Sequence, residues 1–264
     1  MPGTRDLRLR PMTTADHASV LEILREIDPD DAAAAESSLR SEDSKRFALD
    51  DGEQVIGLTG LTPIQETDHS AWLSWTAVRW DLATVEILSH LLAELVTKSQ
   101  GAGYRKIFVS ETANPLPKRA TYHKTLMTAL HQVGFTEELR HEDYYQRREA
   151  AVFLGCHLGE PRASSPESVD ERAILITDSD EIAECDGSYY LEWEFTDDRG
   201  SSAKDLQKWL GKIGRWGGHL ALISAPSDAA GVHALVGEGG FAEAGTLRDY
   251  YEDGIHEVHY SHYL

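Results

Sequence analysis

The residues best suited to chemistry are carboxylates spaced along a predicted strand. Glu192 and Glu194 alternate with Trp193, so both project from one face. Such a pair draws in a cationic amine by charge alone; a solvated sheet face carries the same residues. Glu111 follows the apolar run Ile107-Phe108-Val109-Ser110 and leaves the same two alternatives open. Asp197-Asp198-Arg199-Gly200-Ser201-Ser202-Ala203-Lys204 opens a predicted helix. There Gly200 frees the backbone, Ser201 or Ser202 can cap, and Arg199 and Lys204 can pair with phosphate. An ordinary capped helix start needs no more than this, and Asp197 and Asp198 oppose an anion. His256, His259 and His262 recur every third residue, which suits a metal on a helix. In a strand, residues 256 and 262 share a face and 259 points away, so no metal is expected. Nucleophile elbows and glycine-rich phosphate loops are absent.

The chain has 264 residues, with 25 Lys and Arg against 45 Asp and Glu, a formal net charge of −20. That balance speaks against nucleic acid, which requires a basic face, and against an anionic membrane surface. Hydrophobic residues make up 41%, a globular composition rather than a disordered or fibrous one. No apolar run approaches the ~20 residues that span a bilayer. The opening Met-Pro-Gly-Thr-Arg-Asp leads into a polar, periodic segment with no apolar leader, so a cytoplasmic protein is expected. Cys156 and Cys185 are the only cysteines and form no C-x-x-C, which excludes a disulfide framework and a cysteine-rich zinc site. Both are expected as small buried hydrophobes.

Apolar spacing then gives the elements that must position these groups. Strands are expected over 7–10, 46–49, 54–58, 71–78 and 106–110. Helices are expected around Val20, Leu21, Ile23 and Leu24, over 31–41, over 84–100 and over 120–133, followed by two strands in 143–158. Residues 159–171 hold two prolines and three serines without apolar period and read as a linker. They divide a domain at 1–158 from a shorter one at 172–264. The latter is expected to contain a strand (189–195), a helix (202–214), a strand (219–224), a helix (228–238) and final strands. The two parts are related. Residues 134–158, GFTEELRHEDYYQRREAAVFLGCHL, and 240–264, GFAEAGTLRDYYEDGIHEVHYSHYL, are identical at 8 of 25 positions. Leu73-Ser74-Trp75-Thr76 faces Leu191-Glu192-Trp193-Glu194, and Ile107–Ser110 faces Ala221–Ser224 in the same alignment.

The element order, closing with helix, Gly-Phe, strand, Asp-Tyr-Tyr and strand, resembles the GNAT acetyltransferase superfamily. The residues that carry the resemblance are Leu73-Ser74-Trp75-Thr76-Ala77-Val78, Glu111-Thr112, Gly134-Phe135 and Asp143-Tyr144-Tyr145. In the second copy they are Gly240-Phe241 and Asp249-Tyr250-Tyr251. The resemblance implies an α+β fold: a GNAT-like mixed sheet flanked by helices, with a second, partial GNAT-like repeat. It also implies acetyl-CoA as acyl donor and no metal. In such enzymes a backbone N–H where the central strand splays polarises the thioester carbonyl. That assigns Thr76, Ala77 and Val78 to the cofactor, with Arg199, Gly200, Ser201 and Ser202 as the anion site of the second copy. A strand carboxylate can act as base, a role open to Glu111, Glu192 and Glu194. A helix tyrosine protonates the leaving thiolate.

The sequence departs from that pattern in two places. The turn expected to bind pyrophosphate is Ala83-Thr84-Val85-Glu86-Ile87-Leu88, with neither glycine nor arginine. The family tyrosine falls on Leu130, and on Val236 in the second copy; Tyr122 lies two helical turns earlier and receives no role from this alignment. The expected function is acyl-CoA-dependent transfer of an acetyl group to a small amine or amino-acid-like acceptor. The alternative is an inactive GNAT-like binding or assembly protein.

Overall fold

The computed structural model describes residues 6–39, 44–159, 172–183 and 185–264. Of the expected linker, 160–171 lie outside the described residues. The chain forms two compact units. Unit 1 comprises residues 1–109, 115–136 and 156–160; unit 2 comprises 110–114, 137–155 and 161–264.

Unit 1 begins with β1 (Arg8–Pro11), α1 (His17–Ile27) and α2 (Pro29–Ser38). β2 (Lys45–Asp50), β3 (Val55–Pro63) and β4 (Ser70–Val78) follow, then α3 (Val85–Gly101), the start of β5 (Lys106–Thr112) and α4 (Ala120–Gln132). β1 to β4 pair antiparallel in sequence order, and β4 pairs parallel to β5. α1 is amphipathic: Val20, Ile23, Leu24 and Ile27 form its buried stripe. That stripe packs with Ala32, Ala35, Leu58, Ala77 and Tyr122. α2 starts at Pro29 with Asp30 and Asp31 in its first turn, the residue types a helix N-terminus favours. On α3, Leu88, Leu91, Leu92 and Leu95 recur at helical spacing and are buried.

An ion pair ties the start of this unit together. Both Nη atoms of Arg10 donate to the Asp16 carboxylate at 2.8 Å, and the N–H and hydroxyl of Thr13 donate to Asp16 Oδ2 at 2.8 Å. Arg10 holds the Asp16 carboxyl well below the usual carboxylate range. Replacing Asp16 by Ala is expected to cost about 2 kcal/mol, because it strands a helix-entry N–H and leaves the partly buried Arg10 guanidinium with Asp50 alone, at 3.2 Å. The urea midpoint at neutral pH reads this directly.

Unit 2 contains the hairpin β6 (Thr136–Gln146) and β7 (Glu149–His157), apart from their outermost residues, then β8 (Ala173–Glu181) and β9 (Ser188–Thr196). α5 (Ala203–Arg215), β10 (Leu220–Pro226), α6 (Ala230–Glu238), β11 (Ala242–Glu252) and β12 (Ile255–Tyr263) complete it. Its strand order is β7-β6-β11-β12-β10-β9-β8. β9 and β10 pair parallel; β8–β9, β10–β12, β11–β12 and β6–β11 are antiparallel. Leu206, Leu210 and Ile213 of α5 pack onto Leu191, Ile223 and Phe241 in one core. Each unit is thus a mixed sheet with helices, the expected α+β class.

One strand has no counterpart in the sequence reading. β8, Ala-Ile-Leu-Ile-Thr-Asp-Ser-Asp-Glu, buries Ile174, Ile176 and Ser179 and exposes the residues between them up to Ser179. Its acidic second half, directly after the Pro/Ser segment, masks a two-residue period. The hairpin of residues 137–155 sorts with unit 2 because β6 pairs with β11, Leu139 opposite Gly245. The two hairpins share a backbone device. Asp143 and Asp249 have φ of 55° and 49°, and each Oδ1 accepts the N–H five residues on, from Arg148 and Gly254.

Candidate active site

The parallel ladder of unit 1 is short. Ser70, Ala71 and Trp72 of β4 face Lys106, Ile107 and Phe108 of β5, while β4 runs on to Val78. The N–H of Arg79 donates to Ile56 O at 2.9 Å, on the β3 side. Backbone alternation therefore turns the N–H and C=O of Val78 to the other side, where β4 has left β5. The Tyr122 hydroxyl meets both: it accepts from Val78 N at 2.8 Å and donates to Val78 O at 3.2 Å. Tyr122 is buried on α4, and Trp80 stacks on its ring at 5.5 Å and 22°.

The three expected cofactor residues of β4 are placed here. Ala77 and Val78 are buried. Thr76 Oγ1 lies 2.9 Å from Thr59 Oγ1 and donates to Ser74 O at 3.0 Å. After β4 comes a short 3-10 turn, Trp80–Leu82, in place of a glycine-rich turn. Thr84 then caps α3, its Oγ1 accepting from Ile87 N at 3.3 Å. Glu86 sits in the first helical turn. A phosphate approaching this terminus meets a carboxylate and finds one of the four free N–H groups already taken.

Beside Trp80 a cleft of about 510 Å³ is lined by Arg25, Glu26, Ile27, Pro29, Trp80, Lys118 and Arg119. Arg119 Nη1 pairs with Asp28, and its Nη2 lies 2.9 Å from Asp31. The N–H of Trp80 donates to Glu26 Oε2 at 3.4 Å. Arg25, on α1, and Lys118, in the turn before α4, were not anticipated as a pair, because they lie far apart in sequence.

The corresponding strands of unit 2 repeat the register. Ser188, Tyr189 and Tyr190 face Leu220, Ala221 and Leu222, and the ladder then ends although β9 runs on to Thr196. Side chains close this gap. Trp193 Nε1 donates to Ser224 O at 2.8 Å, Tyr190 Oη lies 2.7 Å from Ser224 Oγ, and Ser224 N donates to Tyr190 Oη at 3.2 Å. Ser224 Oγ donates to Glu257 Oε1 at 2.8 Å. Glu257 Oε2 lies 2.9 Å from His259 Nε2, and His259 Nδ1 lies 3.2 Å from His141 Nε2. His141 is buried, and burial together with His259 pushes its pKa down to about 3.

The other expected residues scatter within unit 2. Glu192 and Glu194 are exposed on β9, opposite Asp178 and Leu175 of β8. Glu111 lies near Tyr145, whose pKa rises through burial first and the Glu111 charge second. Arg199 is exposed. A Cβ on Gly200 would come within 2.6 Å of Ile174 O, so glycine here permits close approach to β8. Ser201 N donates to Ile174 O at 2.7 Å, and Ser201 Oγ accepts from Ile176 N at 2.9 Å. Ser202 shares a capping box with Asp205, its hydroxyl donating to Oδ2 at 2.7 Å. The segment thus fastens α5 to β8, with a carboxylate already at the helix N-terminus.

His256 Nδ1 accepts from Asp249 N at 2.8 Å, and His262 Nδ1 lies 2.9 Å from Gly240 O. No group of three or more metal-ligating side chains occurs among the described residues. Cys156 is buried as expected, and burial pushes its thiol up to about 11. Among the described residues no helix is long and apolar enough to cross a membrane.

The fold is that of the GNAT N-acetyltransferases. A protein described as a GNAT-family acetyltransferase from Desulfovibrio desulfuricans superposes with a TM-score of 0.50 at 17% identity, over 58% of this chain and 99% of its own. An aminoglycoside 6′-N-acetyltransferase solved with coenzyme A gives a TM-score of 0.50 at 13% identity, over 60% of this chain and 99% of its own. Neither a protein-family model nor a curated protein sequence matches the chain.

Proposed function

We propose that the chain is an acyl-CoA-dependent N-acyltransferase acting on a small amine, with the reaction in unit 1. The observation that carries this reading is the Tyr122 hydroxyl on the Val78 backbone, where β4 leaves β5. It puts a proton donor on a helix beside a parting of parallel strands. The family supplies such a tyrosine to the thiolate. Here α4 runs from Ala120 to Gln132, so its tyrosine lies twelve positions before Gly134, whereas the family spacing is four.

When bound, acetyl-CoA supplies the acyl group as a thioester. The parted edge of β4 suits the extended arm of such a donor, and a neighbour of the same fold was solved with coenzyme A. The turn at Trp80–Leu82 and the Thr84 cap do not suit pyrophosphate in the family manner. That mismatch favours a second reading, a non-catalytic binding or assembly protein. We also read residues 172–264 as a trimmed second copy; the shared register of β4–β5 and β9–β10 supports this.

The deciding experiment is release of free thiol from acetyl-CoA over a panel of primary amines, beside calorimetric titration with acetyl-CoA. Amine-dependent release with micromolar binding is the expected result. Neither heat nor turnover at millimolar acetyl-CoA would leave the second reading.

A further inference from the structure

The cleft of unit 1 is charged in an unusual way for so acidic a chain. Arg119 is committed to Asp28 and Asp31. Arg25 and Lys118 are exposed and make no ion pair among the described residues. Against them stands Glu26, whose Oε2 accepts the N–H of Trp80 at 3.4 Å. Two cations and one carboxylate therefore face the same space of about 510 Å³. A plain anion there would meet Glu26, and a polycation would meet Arg25 and Lys118. A zwitterion satisfies both signs.

We infer that the acceptor is a small zwitterionic amine of the α-amino-acid type: Glu26 takes its ammonium, Arg25 and Lys118 take its carboxylate, and Trp80 carries its side chain. This rests on the acyltransferase reading. Its orientation follows from the chain. Glu26 binds the backbone two residues beyond Val78, and Trp80 stacks on Tyr122. The ammonium end thus lies beside Trp80, the residue that stacks on Tyr122, and the carboxylate end at Arg25 and Lys118. Trp80 is 42% exposed, an indole face left open to an apolar or aromatic side chain.

The test is calorimetric titration of the full chain, without acyl-CoA, using L-phenylalanine and phenethylamine, which differ by the carboxylate. Phenylalanine is expected to bind about tenfold more tightly or better. The double variant Arg25→Glu/Lys118→Glu, at two exposed positions, is expected to reverse that order. Equal affinities, tighter phenethylamine, or no binding of either overturns the inference. The underlying reading fails separately. Acetyl transfer to spermidine without phenylalanine binding keeps the acyltransferase and removes this acceptor class. Phenylalanine binding that is reversed by the double variant, with no transfer to any amine, keeps the site and removes the reaction.

Discussion

Replacing Tyr122 by Phe is expected to cut kcat about a hundredfold while changing the KM for acetyl-CoA about twofold or less. The phenol hydrogen-bonds to Val78 N and O, so on the proposed reading removing it takes away the proton donor and leaves the ring in place. The ring still stacks on Trp80 and fills the core with Val20, Ile23 and Leu58. The variant also loses two hydrogen bonds to a buried backbone, about 1–3 kcal/mol of stability. A urea curve separates that loss from catalysis, since a folded but slow variant and a partly unfolded one differ in midpoint. A folded variant with wild-type kcat would make Tyr122 a clasp on β4 and nothing more.

Lowering the pH from 7 to 4 is expected to remove about 3 kcal/mol of stability through His141 alone. Its side chain is enclosed by Tyr144 at 5.8 Å, Phe153 at 5.9 Å and His259, with Glu257 beyond. An unfolded histidine takes up a proton near pH 6.5. The folded one resists until about 3, because burial and then His259 disfavour a second cation. The folded pKa is depressed, so the contribution is complete above pH 6.5 and is lost as pH falls toward 3. Asp16 also has a depressed pKa, but its share is lost only below the ordinary carboxylate range. Unfolding free energies of the wild type and a His141→Phe variant, taken each half pH unit, isolate the histidine. The variant should lose the slope between pH 6.5 and 4 and keep the steeper acid limb. Parallel curves would mean that His141 is readily protonated in the folded chain.

Much of the fold was legible because it is written in local apolar spacing. The stripe Val20, Ile23, Leu24 and Ile27 and the stripe Leu88, Leu91, Leu92 and Leu95 mark α1 and α3 without any tertiary knowledge. β8 was not legible, since its buried positions include Ser179, its exposed ones include Leu175, and its second half is acidic. The site was harder. Counting back from Gly134 at the family spacing reaches Leu130, which is buried. Tyr122 lies eight residues earlier on α4, and only its three-dimensional reach to Val78 reveals it. The Ser201 and Ser202 segment shows the opposite error. Its residue types suit an anion, yet the same N–H and hydroxyl groups are spent on Ile174, Ile176 and Asp205. Residue type names what a group can bind; neighbours brought in by the fold decide what it does bind.

The side chains of Tyr190 and Trp193 that close the gap between β9 and β10 act as tethered competitors. A tethered group faces its acceptor at an effective concentration that a dissolved ligand does not reach, and two of them must leave together before Ser224 is freed. On β4 a single hydroxyl holds the corresponding place. One competitor on a single aromatic side chain is a far lower threshold for an incoming molecule. Between two gaps of the same register, the β9–β10 gap is therefore the costlier one to open and the β4–β5 gap the cheaper.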